Sequence, residues 1–261
     1  MLLNGARILL TGATGGLGLA LAHQLSANGA SLLLTGRDPG RLASASLMLP
    51  DRHSTVRADL TRAEGIAAAA GAAREFGVNL LINNAGIGCF GLYEQQEWPQ
   101  IADVLAANLY APMHLTHALL PELKAAPQAM IVNIGSTFGS LPFPGFAAYS
   151  AAKAGLRGFS QALRRELADT HVSVIHVAPR AIDTPLNSPA VNALNLALKN
   201  QSDSAETVAQ QVIAAIEQDR QECHLGFPEK LFAWLNGIAP ALIDRGLAGK
   251  LATIKSFAPT R

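Results

Sequence analysis

The sequence predicts an α/β protein, a single doubly wound parallel sheet with a helical C-terminal extension. Three observations carry this. Short apolar runs alternate with helical stretches from Arg7 to Ala178. The runs are apolar at nearly every position, as in Ile131-Val132-Asn133-Ile134, which is what a strand covered on both faces requires. A glycine-rich turn, Thr11-Gly-Ala-Thr-Gly-Gly-Leu-Gly18, joins the first run to the first helix. Alternation of this kind gives right-handed crossovers between parallel strands.

Taken in order, the first strand is Arg7–Thr11, and the helix Leu17–Asn28 follows the glycine turn. The strand Ser31–Thr35 leads into the helix Asp38–Leu47, and Ser54–Ala58 into Arg62–Phe76. Asn79–Asn83 is the fourth strand, followed by a long helix, Trp98–Lys124. Ala129–Gly135, the helix Tyr149–Asp169 and Val172–Ala178 complete the alternation. After Pro179 the chain is loop-like to Pro189, then helical, with a last short strand near Glu222–Gly226. Residues 1–261 read as one unit, with a substrate-loop region at 185–204 and the extension at 227–261. Ligands of such sheets sit beyond the carboxyl ends of the strands, which places the segment after Pro179 over them.

Composition narrows the function classes. About half of the 261 residues are apolar and 15% are charged, ample material for a core, and the net charge is +1. No basic patch with interleaved aromatics points to nucleic acid. Cys89 and Cys223 are far apart and form no CxxC, so they read as free thiols in a reducing compartment. The N-terminus lacks a basic leader and its apolar run stops at Thr11 and Gly12, the pattern of a first strand rather than a signal peptide or a membrane span. A soluble cytoplasmic protein is expected.

The glycine turn bears on chemistry. Between a strand and a helix it lets a pyrophosphate approach the backbone, and the helix N-terminus offers free N–H groups and partial positive charge. Gly12, Thr14, Gly15, Gly16, Leu17 and Gly18 are the expected contacts. In dinucleotide folds an acid at the end of the second strand binds a ribose 2′-OH, whereas an Arg accommodates a 2′-phosphate. Here Gly36 stands where the acid would be and Arg37 follows, predicting NADPH over NADH. The competing reading of Arg37 is a solvated charge before a helix capped by Asp38. Asp59-Leu60 ends the third strand, where the carboxylate either accepts from an adenine amino group or caps the next helix. Asn84-Ala85-Gly86, after Asn83, permits close approach of backbone to a cofactor ribose.

Tyr149 and Lys153, at i and i+4, share one helix face. A free phenol, with a pKa of about 10, matches neutral-pH proton transfer poorly, and a nearby cation is expected to lower it. The pair is a sensible acid/base unit for interconverting carbonyl and alcohol. Ser136 follows an apolar strand at its carboxyl edge, where its hydroxyl can donate to a substrate oxygen.

Thr11-Gly-x-x-x-Gly-x-Gly18, Asn83-Asn-Ala-Gly86, Asn108, Ser136 and Tyr149-x-x-x-Lys153 resemble, in order and spacing, the short-chain dehydrogenase/reductase family. The resemblance covers about the first 185 residues. It implies a Rossmann-type fold, NAD(P), hydride transfer at a carbonyl or alcohol carbon, and a homodimer or homotetramer. It also implies roles. Tyr149 matches the acid/base; Lys153 matches the residue that lowers the tyrosine pKa and holds the nicotinamide ribose; Ser136 matches the group orienting the substrate oxygen. Asn108 matches the residue whose carbonyl anchors a water in the proton relay. Pro112, four residues on, has no N–H, so it either frees that carbonyl or merely kinks the helix. Thr184 matches the nicotinamide carboxamide partner, with Ile182 before it. Where the family often has Pro-Gly, this chain has Pro179-Arg180. Arg180 either points into the mouth of the site toward an acidic substrate or a carrier phosphate or, the favoured reading, faces solvent or pairs with Asp183.

His114 and His117 lack a third ligand, and no metal is expected. Phe138, Phe143 and Phe146, between Ser136 and Tyr149, either line an apolar substrate pocket or pack their loop against the body. The extension mixes Phe232, Trp234 and Ile238 with Lys230, Arg245 and Lys250; it either caps the substrate pocket, packs across a dimer or rests on a membrane surface, with ordinary packing favoured over membrane contact. The expected activity is NADP(H)-dependent reduction of a ketone, an aldehyde or a 3-oxoacyl group in an apolar small molecule. The alternatives are an NADP-binding regulatory protein without turnover and a hydroxy-acid or amino-acid dehydrogenase.

Overall fold

The computed structural model describes residues 1–50 and 52–259. Seven parallel strands form one sheet in the order β3-β2-β1-β4-β5-β6-β9. They are β1 Arg7–Leu10, β2 Ser31–Gly36, β3 His53–Arg57, β4 Leu80–Asn83, β5 Ala129–Ile134, β6 Val172–Ala178 and β9 Glu222–His224. The expected strands are all present, mostly trimmed or shifted by a residue or two. The order reverses between β1 and β4, which opens a crevice at their carboxyl ends.

Alternate residues of the apolar strands feed two cores. Ile8, Leu10, Leu32, Leu34, Ile82 and Val132 pack on one face with α1 (Gly16–Ala27) and α8 (Ala205–Glu217). Leu9, Leu33, Leu81, Ile131 and Val174 pack on the other with α3 (Ala63–Phe76), α5 (Ala111–Ala125) and α6 (Ala147–Glu166). β3 departs from the all-apolar pattern because it is an edge strand: His53, Ser54, Thr55 and Arg57 are exposed or half-buried. Inside the sheet, Asn83 Nδ2 donates to Asn133 Oδ1 (2.8 Å) and Asn133 Nδ2 to Ser160 Oγ (2.9 Å).

Two expectations change. The helix expected over Trp98–Lys124 is α4 (Trp98–Leu105), a π turn (Ala106–Tyr110) and α5. Ala111 N–H reaches back five residues to Ala106 O, and Pro112 has no N–H for Asn108 O, so the α-ladder cannot run unbroken here. α6 begins at Ala147, which puts Tyr149 in its first turn, and it ends at Glu166 rather than Asp169.

The region expected as a substrate loop contains structure of its own. A small sheet pairs β7 (Ile182–Asp183) with β8 (Asp203–Ser204), and α7 (Pro189–Ala197) lies between them. α2 (Pro39–Leu47) follows β2, and the chain ends in α9 (Glu229–Ile238), α10 (Pro240–Ala248) and α11 (Leu251–Phe257). α11 packs on α7, and α9 packs on α10.

Candidate active site

One cavity of about 1150 Å³ spans the carboxyl edge of the sheet. Every residue expected to touch cofactor or substrate lines it, from Gly12 through Arg37, Asp59 and Asn84 to Ser136, Tyr149, Lys153 and Thr184.

At one end the glycine turn is shaped by close approaches. Gly12 has φ +65°, and a Cβ there would stand 2.7 Å from Ala85 Cα. A Cβ on Gly18 would collide with the Gly12 carbonyl, so the turn folds onto the first turn of α1. Gly15 caps α1 without a side-chain hydrogen bond, and no acid occupies the first turn. The leading N–H groups thus keep their capacity for an anion, and these residues fit a pyrophosphate. Thr184 closes over this turn: a Cβ on Gly16 would lie 2.6 Å from Thr184 Cγ2.

Arg37 lies just beyond β2 on the cavity wall, and a Cβ larger than glycine's hydrogen at Gly36 would meet Thr14 Cγ2 at 2.9 Å. No carboxylate can therefore occupy the end of β2 without displacing Thr14. Arg41, which sequence reasoning passed over, lines the same wall and donates to Thr14 O (3.1 Å). Asp59 Oδ1 accepts from Thr61 N and Oγ1 (3.0 and 2.8 Å). Burial raises the Asp59 pKa, but the Thr61 hydrogen bonds with Arg37 and Arg62 outweigh it and hold the carboxyl below its ordinary value. The helix cap of α3 is Arg62, so Asp59 caps a turn rather than that helix.

The turn after β4 is tied to the glycine turn. Asn84 Nδ2 donates to Thr11 O (2.9 Å) and Gly12 O (3.2 Å), while Thr11 Oγ1 accepts from Asn84 N and Ala85 N. Asn108 Nδ2 donates to Ile87 O (2.8 Å) and Val104 O (2.9 Å). Its side chain thus fixes the loop beyond Gly86, where a Cβ would lie 2.6 Å from Asn108 Oδ1 and 3.8 Å from Lys153 Nζ.

Ser136 sits in extended backbone at the end of β5, and its Oγ accepts from Phe138 N (3.2 Å). Ser136 and Tyr149 share a side-chain hydrogen bond. Lys153 is 4% exposed; its Nζ donates to Ile134 O (2.8 Å) and stands 5.7 Å from the Tyr149 ring centre. The expected lowering of the Tyr149 pKa is not found. Burial pushes the phenol up to about 12, against the opposing Ser136 hydrogen bond. Burial also pushes the Lys153 ammonium down to about 8. Desolvation outweighs charge pairing here because the ammonium is directed at a strand carbonyl rather than the phenol. Tyr149 is therefore a protonated phenol across neutral pH, the state a proton donor needs.

Phe138, Phe143 and Phe146 stand around Tyr149, Phe138 stacked on Phe143 at 5.4 Å and edge-on to Tyr149 at 6.3 Å. Phe90, not anticipated from sequence, joins them on Phe146 at 5.1 Å. α9 and α10 add Leu235 and Ile243 to this apolar end of the cavity.

Arg180 does line the cavity, but with its charge already paired. It neither faces solvent nor pairs with Asp183. It forks onto Asp203 through Nε and Nη2 (2.9 and 2.7 Å) and reaches Gln201 Oε1 (2.8 Å), Phe227 O (3.2 Å) and Glu229 (3.4 Å). Only 13% of its side chain is exposed, and its charge is satisfied before any acidic substrate arrives. Gly226, at φ +90°, clears the way: a Cβ there would lie 2.6 Å from Arg180 Cδ. The residue that departs from the Pro-Gly pattern thus clamps β8 and the start of α9 to the end of β6. Sequence inspection missed the partners because they lie 23 and 49 positions downstream.

Residues 6–195 match the short chain dehydrogenase family. Over 225 residues the chain is 32% identical to the uncharacterized oxidoreductase DltE of Bacillus subtilis (strain 168), covering 85% of this chain and 88% of that protein. It is 35% identical over 188 residues to the 3-oxoacyl-[acyl-carrier-protein] reductase FabG of Vibrio cholerae serotype O1, covering 71% and 77%. A short chain dehydrogenase/reductase from Burkholderia phymatum, solved in complex with NAD, superposes with a TM-score of 0.84 at 25% identity, covering 93% and 96%. Fold and sequence agree: the chain belongs to the short-chain dehydrogenase/reductase family of oxidoreductases, with a site for a nicotinamide cofactor.

Proposed function

We propose that the protein is an NADP(H)-dependent carbonyl reductase acting on an apolar ketone, aldehyde or 3-oxoacyl group. The observation that carries the reading is the division of one cavity into two chemistries. Uncapped N–H groups of α1 with Arg37 and Arg41 line one end; Ser136 and Tyr149 stand among phenylalanines at the other.

When bound, the nicotinamide supplies hydride to the carbonyl carbon. Tyr149, a neutral phenol, donates its proton to the carbonyl oxygen as negative charge develops there. Ser136 donates a hydrogen bond to the same oxygen and fixes its place beside Tyr149. Lys153, held by Ile134 O on the cavity wall, is placed to hold the cofactor's ribose hydroxyls. Asn108 keeps the loop beyond Gly86 in place, and its main-chain carbonyl, without a donor at Pro112, is the anchor for a relay water. Arg37 and Arg41 receive the 2′-phosphate, since Gly36 leaves no acid to bind a 2′-OH. Ile182 and Thr184 cover the bound cofactor from the glycine turn toward the nicotinamide, and Pro179 O accepts from Thr137 N (2.9 Å), setting the loop that carries Ser136. A homodimer or homotetramer is the assembly we assign.

The test is oxidation of NADPH and of NADH by the purified protein with apolar ketones, aldehydes and 3-oxoacyl thioesters, with Tyr149→Phe in parallel. Turnover that falls about a thousandfold in Tyr149→Phe supports the reading. Tight NADPH binding without turnover on any of them would move it to a binding protein. Undiminished turnover in Tyr149→Phe would remove the proton-donor assignment.

A further inference from the structure

The C-terminal helices leave an apolar face uncovered. Leu231, Trp234 and Ile238, at spacings of three and four on α9, form one stripe that is 46%, 62% and 62% exposed. Phe227 just before α9 (72%) and Leu242 on α10 (55%) are exposed as well, and α9 packs on α10. α9 buries only Ala233, and α10 buries nothing among the described residues. Isolated exposed leucines need no explanation, but five large apolar side chains within sixteen positions form a patch of the kind that marks an interaction surface.

The charges carried by the same C-terminal segment say what covers it. Lys230, Arg245, Lys250 and Lys255 are all exposed, and none has a side-chain ion pair or hydrogen bond among the described residues. The acid of α9, Glu229, is taken by Arg180, which leaves Asp244 as the one opposing charge on α9 to α11. Lysine is depleted from the cores of protein–protein interfaces. Tryptophan, phenylalanine and leucine flanked by lysine and arginine are instead the composition of helices that lie in a membrane interface. No described helix is long and apolar enough to cross a membrane, so contact would lie in the surface plane. The same helices line the cavity from within: Phe232 and Leu235 face it, and Leu242 and Lys250 both line it and are exposed. The cavity therefore opens at the rim of the patch.

We propose that the face formed by Phe227, Leu231, Trp234, Ile238 and Leu242, with Lys230, Arg245 and Lys250 around it, docks on the surface of an anionic lipid bilayer. This goes beyond the proposed reductase reading and does not depend on turnover. The probe is flotation of the full chain with vesicles of phosphatidylglycerol and phosphatidylcholine, and with phosphatidylcholine alone. A Trp98→Phe background leaves Trp234 as the only indole, because the chain has two tryptophans. Flotation with the anionic vesicles, weakened by salt, with a blue shift of Trp234 emission, is expected. Trp234→Glu/Ile238→Glu should lose about tenfold or more of the partitioning, and Lys230→Glu/Arg245→Glu should lose the preference for anionic lipid. Unchanged circular dichroism and NADPH binding in these variants would establish that they are folded. Failure to float with either vesicle, or equal flotation of Trp234→Glu/Ile238→Glu, overturns the proposal. So does a Trp234 blue shift that follows protein concentration rather than lipid, since a second copy then covers the face.

Discussion

Replacing Arg180 by alanine tests whether one side chain holds the cover of the cavity to the sheet. Removing one member of a buried ion pair costs about 3–5 kcal/mol, because the remaining charge stays buried and unpaired. Arg180 and Asp203 keep 13% and 15% side-chain exposure, so water can partly recover Asp203, and Glu229 at 22% recovers further. The expected loss is therefore about 2–3 kcal/mol for Arg180→Ala. Arg180→Lys should recover less than half, since an ammonium cannot fork onto Asp203. Urea unfolding of wild type, Arg180→Ala, Asp203→Ala and the double variant gives the coupling, expected at about 1.5–3 kcal/mol. Trypsin supplies a local readout. Lys199 lies at the edge of the clamped segment with φ +55°, and cleavage there should accelerate in Arg180→Ala. Additive effects of the two single variants, with coupling below about 0.5 kcal/mol and unchanged cleavage at Lys199, would refute the clamp.

The Lys153 pKa, pushed by burial from 10.5 to about 8, implies that at neutral pH the fold carries a buried ammonium at a cost of about 3 kcal/mol. Lys153→Met should raise unfolding free energy at pH 7 by about 1–2 kcal/mol, after loss of the bond to Ile134 O, while abolishing turnover. Between pH 8 and 10.5 the unfolded wild type holds a proton that the folded chain has released, so wild-type stability rises with pH. The advantage of Lys153→Met should shrink over that window, and an advantage that grows with pH would sink the argument. Gly18→Ala drives a methyl into the Gly12 carbonyl and should weaken NADPH binding by about tenfold or more in a fluorescence titration. Arg37→Asp should lower the NADPH-to-NADH preference by about ten- to a hundredfold in kcat/KM; an unchanged ratio would leave the phosphate to Arg41 and Thr14.

The sheet and the cavity walls were legible because their signals are local. Strands such as Met130–Ile134 are apolar at all but one position, and the glycine turn and the Tyr149–Lys153 pair declare themselves by spacing. What escaped is set by contacts between distant segments. The partners of Arg180 come from β8 and α9, and no periodicity announces a two-residue strand such as Ile182–Asp183. The π turn at Ala106–Tyr110 lies inside a continuous helical pattern, and Pro112 marked the place without giving the form. The Tyr149 pKa failed for a different reason. Spacing told that a cation is near; the direction of the shift depends on how thoroughly the fold excludes water from both groups, which no helix spacing encodes.

The rung from Asn83 through Asn133 to Ser160 has a consequence for how this sheet finds its alignment. Strands that are apolar on both faces slide past one another at little cost, because a shift of one residue still buries apolar side chains. Asn83 and Asn133 are register partners on β4 and β5, and the amide bond between them exists only in that alignment. A slip would break the bond between the two buried carboxamides and the one to Ser160, which keeps its own bond to Leu156 O, at about 1–3 kcal/mol for each amide left unpaired. The rung thus acts as an index pin, selecting against misaligned sheets more than it adds to the native one. Ile134 O, the acceptor of Lys153 Nζ, and Ser136 lie one and three residues beyond Asn133 on the same chain. Asn133→Val should therefore be felt first as blurred placement of these two groups, before any large loss of stability.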